Sequence, residues 1–238
     1  MGTAMQTAAN GAIGAAGRKV PSHEVTYARL RDMVLFGHLE PGQPVTIQGL
    51  IRDLGAGMTP VREAIRRLVA EGALSAQDNR RVVVPPATPD LIDQVAFARL
   101  SVEPELALRA AARMTPALLE RLAAADRAVE AGIAAGDVPA YMAGNHAFHF
   151  ALYEAAGAPV LLDIARSLWL RFGPALRVVC ARHGDAELPD RHAEAMAAAR
   201  AGDGPALAHA VARDIQQGVD LVRAALGAAG RGGAAPRP

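Results

Sequence analysis

The sequence Thr-Pro-Val-Arg-Glu-Ala-Ile-Arg-Arg-Leu at residues 59–68, followed by Val-Ala-Glu-Gly at 69–72, is the most informative part of this chain. Its apolar residues recur at helical spacing and predict one buried stripe, whereas its charged residues point the other way. Thr59 is placed to cap such a helix, and Pro60 occupies the first helical position, which tolerates a missing N–H. The stretch therefore predicts an amphipathic helix with an arginine-rich exposed face, ended by Gly72.

Two further helices and three short strands are predicted around this helix, the first strand at 44–46. Residues 22–37 and 47–54 carry apolar residues at helical spacing, and Gly55-Ala56-Gly57 separates the second helix from the third. Beyond the third helix, short strands are predicted at 73–75 and 81–84, with turn residues between them. Three helices followed by a hairpin predict a winged helix-turn-helix.

The exposed face of the third predicted helix has chemistry that suits DNA. The guanidinium of Arg62 is planar and permanently charged, so it fits guanine or phosphate, and arginines at the hairpin tip can reach the DNA backbone or minor groove. The predicted DNA contacts are Met58, Thr59, Arg62, Arg66, Arg80 and Arg81. On charge alone, a merely solvated helix face remains the alternative.

Composition limits the class of protein. The 238 residues are 51% hydrophobic, which predicts a globular chain, and the single cysteine excludes an intrachain disulfide framework and a cysteine-based zinc finger. No long apolar run predicts a membrane span, and residues 1–20 lack the apolar segment of a signal peptide, so we expect a cytoplasmic protein. Residues 1–86 hold ten basic and seven acidic residues, against fifteen and seventeen in 87–238, an asymmetry typical of a nucleic-acid-binding module in the first part.

The second part of the chain predicts an all-α antiparallel bundle, which makes the fold class mainly α. Six helices are expected, at roughly 89–113, 115–135, 138–156, 158–182, 188–201 and 204–226. Pro104 and Pro174 fall inside two of them and predict a kink or a break. The expected organisation is a disordered tail at 1–20, a DNA-binding domain at 21–86, a bundle domain at 87–226 and a second disordered tail at 227–238.

Within the bundle, four polar residues are candidates for a metal site. Asn145 and His149 are four apart and share one helix face, while His192 begins the fifth helix of the bundle and Asp214 lies midway along the sixth. A histidine inside a helical bundle is more often a core residue than a ligand. On spacing alone, the metal site and the structural alternative therefore both stay open.

Residues 22–86 resemble the GntR family of bacterial transcription regulators. The resemblance rests on Leu39-Glu40-Pro41-Gly42, Leu54-Gly55, the stretch 59–68 and Glu71-Gly72. It implies a DNA-contacting role for Arg62. Where the family usually reads Val-Ser-Arg before the recognition helix, this chain reads Ala56-Gly57-Met58, so the resemblance implies an operator that differs from the family's usual one.

Residues 90–226 resemble the FCD effector domain of the FadR subgroup. A bundle of six helices rather than seven is similar to the FCD domains of the VanR-like branch of that subgroup. The matching motifs are Arg99-xxx-Glu103, Asn145-xx-Phe148-His149, Tyr153 to Gly157, Asp190-Arg191-His192 and Ala201-Gly202-Asp203. The resemblance implies a divalent metal of the zinc, nickel or manganese class held by Asn145, His149, His192 and Asp214, the last replacing a family histidine. By helical phase, His146 and His209 lie off the ligand face.

The family resemblance further implies a homodimeric regulator, expected to be a repressor of a metabolic operon, that responds to a small organic acid or sugar acid. The predicted effector-binding residues are Arg99, Arg177 and His183, whereas Arg171 is read as a surface charge. One alternative is a bundle that only dimerises, without metal or effector. Another is a helical metal-dependent hydrolase, but no Ser, Cys or Glu is evidently placed as a nucleophile or base, so we expect no enzyme.

Overall fold

The computed structural model describes residues 22–77, 81–180 and 189–232, so the predicted tail at 1–20, the hairpin tip with Arg80, and His183 lie outside the described residues. The first part of the chain consists of α1 (Ser22–Leu35), β1 (Pro44–Val45), α2 (Ile47–Leu54), α3 (Met58–Ala70), β2 (Ser75–Gln77) and β3 (Arg81–Val83). This order is that of a winged helix-turn-helix and confirms the predicted fold class for this part.

The three strands form one antiparallel sheet in the order β1-β3-β2. Val82 of β3 lies opposite Val45 on one side and Ala76 on the other. The prediction that the first hairpin strand spans 73–75 was wrong, because the N–H groups of Ala73 and Leu74 both donate to the carbonyl of Leu68. These two residues therefore close the end of α3, and the ladder begins only at Ser75.

Helix α3 begins two residues earlier than predicted, at Met58 rather than at Pro60. Gly57 is its N-cap residue in extended conformation (φ −73°, ψ 166°), and no side chain caps the helix. Thr59, predicted as the cap, lies inside the first turn and is exposed. The family serine or threonine at position 57 would supply a capping hydroxyl, which glycine lacks.

The predicted apolar stripe of α3 is buried against the other two helices of this part. Glycine at position 55 adopts the left-handed conformation (φ 59°) that ends α2 and turns the chain into α3. The core is formed by Leu30 and Val34 of α1, Leu50 and Leu54 of α2, and Val61, Ala64, Ile65 and Leu68 of α3. The opposite face of α3 is thereby held toward solvent.

The second part contains, within the described residues, the six helices expected from the sequence. They are α4 (Pro89–Ala111), α5 (Pro116–Ala135), α6 (Val138–Ala155), α7 (Pro159–Cys180), α8 (Arg191–Ala201) and α9 (Gly204–Gly232). Five of them begin with a side-chain oxygen that accepts a backbone N–H, supplied by Thr88, Thr115, Asp137, Asp190 and Asp203.

Helices α4 and α7 each continue as one helix through Pro104 and Pro174, so of the predicted kink or break only the break is excluded. One boundary prediction for the bundle was wrong. The predicted C-terminal tail at 227–238 overlaps α9, which continues to Gly232. Alanine, the strongest helix former, occupies 228 and 229 and offsets the low helix propensity of the glycines around it.

Close backbone contact fixes the pair α5–α6, which carries part of the site described below. A Cβ atom added at Gly132 would lie 2.5 Å from the backbone nitrogen of Tyr141, and one at Gly144 would lie 2.8 Å from that of Val129. Helices α4 and α8 pack against α9, whereas α7 packs against α4 and α6 and also against α1. The buried apolar residues of both parts form one continuous cluster. Across the described ranges, no helix is both long enough and apolar enough to cross a membrane.

Candidate functional site

The exposed face of α3 brings together four of the six predicted DNA contacts. Met58, Thr59, Arg62 and Arg66 are all exposed, and Met58 retains 45% of its surface. Arg66 pairs with Glu63 on the same helix, whereas Arg62 contacts no partner among residues 22–77, 81–180 and 189–232. Its guanidinium is therefore available for a base or phosphate outside the protein.

The wing exposes one further predicted arginine. Arg81 is exposed at the first position of β3, while Arg80 lies outside the described residues. At the N-terminus of α3, the thioether of Met58 cannot make the two parallel hydrogen bonds that an arginine makes there. The surface thus offers apolar contact at 58 and cationic contacts at 62, 66 and 81.

The C-terminal end of α3 is anchored to α1 by a charged cluster. The hydroxyl of Tyr27 donates to the carboxylate of Glu71 at 2.8 and 2.9 Å, and the guanidinium of Arg67 lies 3.6 Å from the centre of the Tyr27 ring. Burial, and then the hydrogen bond to Glu71, raise the pKa of Tyr27 to about 12. The hydroxyl therefore keeps its proton and remains a donor.

A cavity of about 430 Å³ lies among the six helices of the bundle. Its wall includes Arg99 of α4, Asn145 of α6, Phe172 of α7, His192 of α8 and Asp214 of α9. A volume of this size is typical of a small-molecule site. Three of the four predicted metal ligands and one predicted effector contact are thus part of the same wall.

Three candidate ligand atoms, from His149, His192 and Asp214, all lie within 4.8 Å of one another. The Nε2 of His149 is 2.9 Å from Oδ2 of Asp214, and the Nε2 of His192 is 3.1 Å from Oδ1 of Asn145. Both histidines are buried, whereas the carboxylate of Asp214 is 23% exposed. The structure therefore brings the four predicted residues together from three helices.

The tautomer of His149 follows from its neighbours. Its Nδ1 lies 3.0 Å from the hydroxyl of Tyr153, and that hydroxyl donates its proton to Glu103 at 2.7 Å. With the proton of Tyr153 committed to the carboxylate, the tyrosine oxygen accepts from Nδ1–H of His149. The Nε2 of His149 then carries a lone pair, and this buried atom has no hydrogen-bond partner among the described residues.

The tautomer of His192 follows in the same way. Its Nδ1 lies 3.1 Å from Oδ1 of Asp126, and an ionised carboxylate can only accept, so Nδ1 carries the proton. The ring also stacks on Phe148, with 3.9 Å between the ring centres. The Nε2 lone pair of His192 is thereby turned toward Asn145.

Four acceptor atoms consequently converge without a proton between them. Burial raises the pKa of Asp214, and the positive charge of the nearby Arg99 guanidinium opposes that rise. Burial lowers the pKa of His192 in spite of the nearby carboxylates of Asp214 and Asp126. Such a set of nitrogen and oxygen donors repels itself unless a cation lies among them, and it fits a divalent metal.

A buried ion pair stands beside these ligands. Arg99 donates to Glu103 through Nε at 2.6 Å and through NH2 at 3.1 Å, and both side chains are almost fully buried. The guanidinium lies 4.6 and 4.7 Å from the ring centres of Trp169 and Phe172, and the indole N–H of Trp169 also donates to Glu103 at 3.1 Å. Glu103 thus receives hydrogen bonds from three side chains on three helices.

Sequence reasoning assigned no role to several residues that shape this cavity. Tyr153 and Glu103 each stand four residues after a predicted site residue, so helical spacing could have pointed to them. Asp126 is separated from His192 by 66 positions, and no local signal could have found it. Arg191 lines the cavity, and its buried Nε donates to no described residue.

One prediction about the other polar residues was wrong. Arg177 is not part of the cavity wall but donates to the carbonyl of Gly37 and to Glu40 at 2.9 Å. Arg171 is exposed, as expected of a surface charge, and its Nη2 donates to the carbonyl of Glu71 at 2.9 Å. His146 stacks on Phe150, off the ligand face as expected, and His209 is exposed on α9.

Comparison with known proteins agrees with this architecture. The family model "Bacterial regulatory proteins, gntR family" matches residues 22–84, and the FCD domain model matches residues 94–217. The HTH-type transcriptional regulator McbR of Escherichia coli K12 is 29% identical over 197 residues, which cover 81% of this chain and 89% of McbR.

Solved structures show the same fold. E. coli McbR superposes with a TM-score of 0.80 at 27% identity, covering 86% of this chain and 98% of that one. A GntR protein of Rhodococcus sp. RHA1 superposes with a TM-score of 0.69 at 22% identity, covering 85% of this chain and 97% of that one. The chain therefore belongs to the GntR family of bacterial transcriptional regulators, in the FadR-type group whose second domain is an FCD domain.

Proposed function

We propose that this regulator is a cytoplasmic, homodimeric repressor of a metabolic operon, in which a small carboxylate bound next to a divalent metal sets the affinity for operator DNA. Residues 21–86 form its DNA-binding domain, and 87–226 form its effector-binding and dimerisation domain. The observation that carries the proposal is the convergence of four acceptor atoms beside the buried Arg99, three of them from residues in the wall of one cavity.

The DNA-binding part of the proposal rests on the exposed face of α3. Thr59, Arg62 and Arg66 are presented for the major groove, and Arg81 is presented from the wing. Two copies related by a twofold axis would read a palindrome, which is why a dimer is proposed. Because Met58 replaces an arginine of the family pattern, we expect a half-site that differs from the family's usual one.

The metal is proposed to be held by Asn145, His149, His192 and Asp214. Histidine nitrogens with carboxylate and amide oxygens suit zinc, nickel or manganese. When bound, the ion supplies a positive charge to which a carboxylate can add. The protein orients this ligand set through Asp126 for His192, and through Tyr153 and Glu103 for His149.

The ligand is proposed to be a small carboxylic acid, because two guanidinium groups face the cavity. Arg99 lies in the cavity wall and keeps its positive charge. Burial acts to lower the pKa of Arg99, but the neighbouring Glu103 carboxylate holds that pKa above its ordinary value. Arg191 contributes a buried N–H without a partner in the described ranges. An anion that pairs with Arg99 would compete with Glu103 for the guanidinium.

A bundle that only dimerises is the second candidate, and the short distance between His149 and Asp214 is the observation that favours it. A proton on Nε2 of His149 would join the two residues as an ion pair without any metal. The hydrogen bond from Nδ1 to Tyr153 argues against it, because the histidine would then have to be charged while buried. The relatives are transcriptional regulators, and we propose no catalytic step.

Footprinting of DNA from the region upstream of its own gene, together with metal analysis of the purified protein, tests the proposal. We expect a protected palindrome that Arg62→Ala abolishes while Arg200→Ala, an exposed arginine on α8, leaves it intact. We also expect about one equivalent of divalent metal per chain. Protection without any bound metal, unchanged after zinc, nickel or manganese is added, would favour the second candidate.

A further inference from the structure

Helix α7 contacts both the cavity and the DNA-binding domain, through different side chains. Phe172 of α7 lines the cavity and stacks beneath Arg99, and Trp169 of α7 donates to Glu103 behind the cavity wall. Toward the DNA-binding domain, α7 presents Arg171 and Arg177. These two sets of contacts lie within nine residues of one helix.

The two arginines of α7 each bind a carbonyl at the C-terminal end of a helix in the DNA-binding domain. Arg171 donates to the carbonyl of Glu71, the C-cap residue of α3, at 2.9 Å. Arg177 donates to the carbonyl of Gly37, just beyond α1. Unpaired carbonyls at these ends carry partial negative charge, so each guanidinium is favourably placed.

Glycine residues allow these contacts to be close. A Cβ atom added at Gly173 would lie 2.6 Å from the carbonyl oxygen of Leu35, and one at Gly72 would lie 2.6 Å from the guanidinium of Arg171. Gly72 also has a φ of +74°, which other residues adopt at a cost. Helix α7 is therefore in direct contact with the backbone at the ends of both α1 and α3.

Proline 174 lies between the two arginines and weakens the helix there. It has no N–H to donate to the carbonyl of Leu170, so α7 lacks one hydrogen bond of its ladder at this position. Helices bend most readily at such places. A displacement of Trp169 and a displacement of Arg171 are consequently coupled more tightly than either is to the far end of α7.

We propose that α7 is the element that couples the cavity to the recognition helix, with Glu103 at one end of the link and the Arg171–Glu71 contact at the other. A ligand that draws Arg99 away from Glu103 alters the hydrogen bonds that Glu103 shares with Trp169, and α7 carries the change to the end of α3. The ligand in this statement rests on the proposed function, whereas the link itself is a property of the ligand-free protein.

Hydrogen–deuterium exchange of the full-length protein tests the link without any ligand. Trp169→Phe keeps an aromatic ring but removes the indole N–H and part of the ring, and Glu103→Gln weakens the whole cluster. In both variants we expect amides at 36–40 and 71–74 to exchange about threefold faster or more, the size of effect that coupled networks carry. Amides of α2, which α7 does not support, should exchange as in the unmodified protein.

Two further variants separate coupling from general loss of stability. In the double variant Arg171→Ala/Arg177→Ala, the amides at 36–40 and 71–74 should exchange faster than in the unmodified protein. Adding Trp169→Phe to this double variant should not change their exchange further. Leu122→Ala leaves a cavity in the core on α5, away from the α7 contacts, and should leave these amides unaffected.

The link is wrong if the amides at 71–74 exchange equally in the unmodified protein and both single variants, or if Leu122→Ala accelerates them as much. Failure of the proposed function has a different signature. In that case the exchange pattern holds, while the protein neither retains metal nor protects DNA.

Discussion

The imidazole of His149 and the carboxylate of Asp214 face each other at 2.9 Å, from Nε2 to Oδ2, without a hydrogen bond between them. The two residues come from α6 and α9, 65 positions apart, and the proton that could have joined them is held on the far side of the ring by Tyr153. A nitrogen lone pair that faces a carboxylate oxygen in a buried site is electrostatically unfavourable. A cation between these two groups, with His192 and Asn145 beside it, removes the repulsion.

Removal of the Asp214 carboxylate should therefore weaken metal binding strongly. We expect Asp214→Ala to lower zinc or nickel affinity by more than the 10–100-fold that loss of an outer-shell partner typically causes. Asp220→Ala, on the same helix but exposed and outside the cavity wall, is the matched control and should bind as the unmodified protein does. Isothermal titration with the metal alone measures both. Equal affinities in the two variants would contradict a ligand role for Asp214.

Asp126 should affect the metal indirectly, through the orientation of His192. Asp126→Asn keeps the size of the side chain, but it no longer provides the charged acceptor that holds the proton on Nδ1. We expect metal affinity to fall about 10–100-fold, with little change in DNA affinity of the metal-loaded protein. Competition with a chelator of known affinity provides the measurement, and Asp203→Asn, a helix cap at the start of α9, serves as control.

Carboxylate binding should depend on the metal, because the cavity wall is rich in negative charge. It contains the carboxylates of Asp126, Glu130, Asp137, Asp190 and Asp214 against the guanidinium groups of Arg99 and Arg191. We expect succinate to bind the zinc-loaded protein at least about tenfold more tightly than the chelator-treated protein, and linkage requires the same factor for zinc in the presence of succinate. Titration in both orders checks this, and a ratio near one would argue against a shared site.

An arginine at position 58 should strengthen DNA binding in a salt-dependent way. Met58→Arg adds a cation at the exposed N-terminal turn of α3, where the family pattern has an arginine. We expect tighter binding at low salt and a steeper slope of log affinity against log salt, by about one unit per added phosphate contact. Ala201→Arg adds the same charge at the end of α8 and should leave the slope unchanged, as measured by fluorescence anisotropy on operator DNA.

The stability of the metal-free protein should fall in mild acid because of His146. Burial, and then the charges of Arg31, His149 and Arg166, lower the pKa of this histidine to about 3, whereas an unfolded chain titrates near 6.5. Between these values only the unfolded state takes up the proton, so the free energy of unfolding decreases as pH falls and is independent of this group above about pH 7.

A variant isolates that contribution. His146→Phe keeps the ring packed against Phe150 and Trp169 and cannot titrate. From pH 7 to pH 5 we expect the unmodified protein to lose about 2 kcal/mol more stability than this variant. Urea unfolding in the presence of a chelator measures the difference. His209→Gln, at an exposed position, should lose as much as the unmodified protein; parallel pH curves for His146→Phe and the unmodified protein would show that the group titrates normally.

Much of the DNA-binding face and of the ligand set could be predicted, because both depend on helical phase. The stripe Val61, Ala64, Ile65 and Leu68 determines which side of α3 is buried, and so leaves Arg62 exposed. In the same way, Asn145 and His149 are four residues apart and therefore share one face of α6. The predicted start of α3 was wrong by two residues, because glycine at 57 can cap through its backbone conformation alone.

Local spacing, in contrast, does not reveal which helix lies opposite a given face. Three contacts illustrate this. His192 contacts Asp126 and Trp169 contacts Glu103, in each case across 66 positions. Arg177 lies against Gly37, 140 positions away, rather than in the cavity. The amino-acid order was sufficient for the number and order of the helices, the buried stripes and the family, since those depend on neighbours along the chain. The packing of whole helices decided the proton positions on the histidines and the partners of the α7 arginines, because side chains far apart in sequence meet only after every helix has found its neighbours.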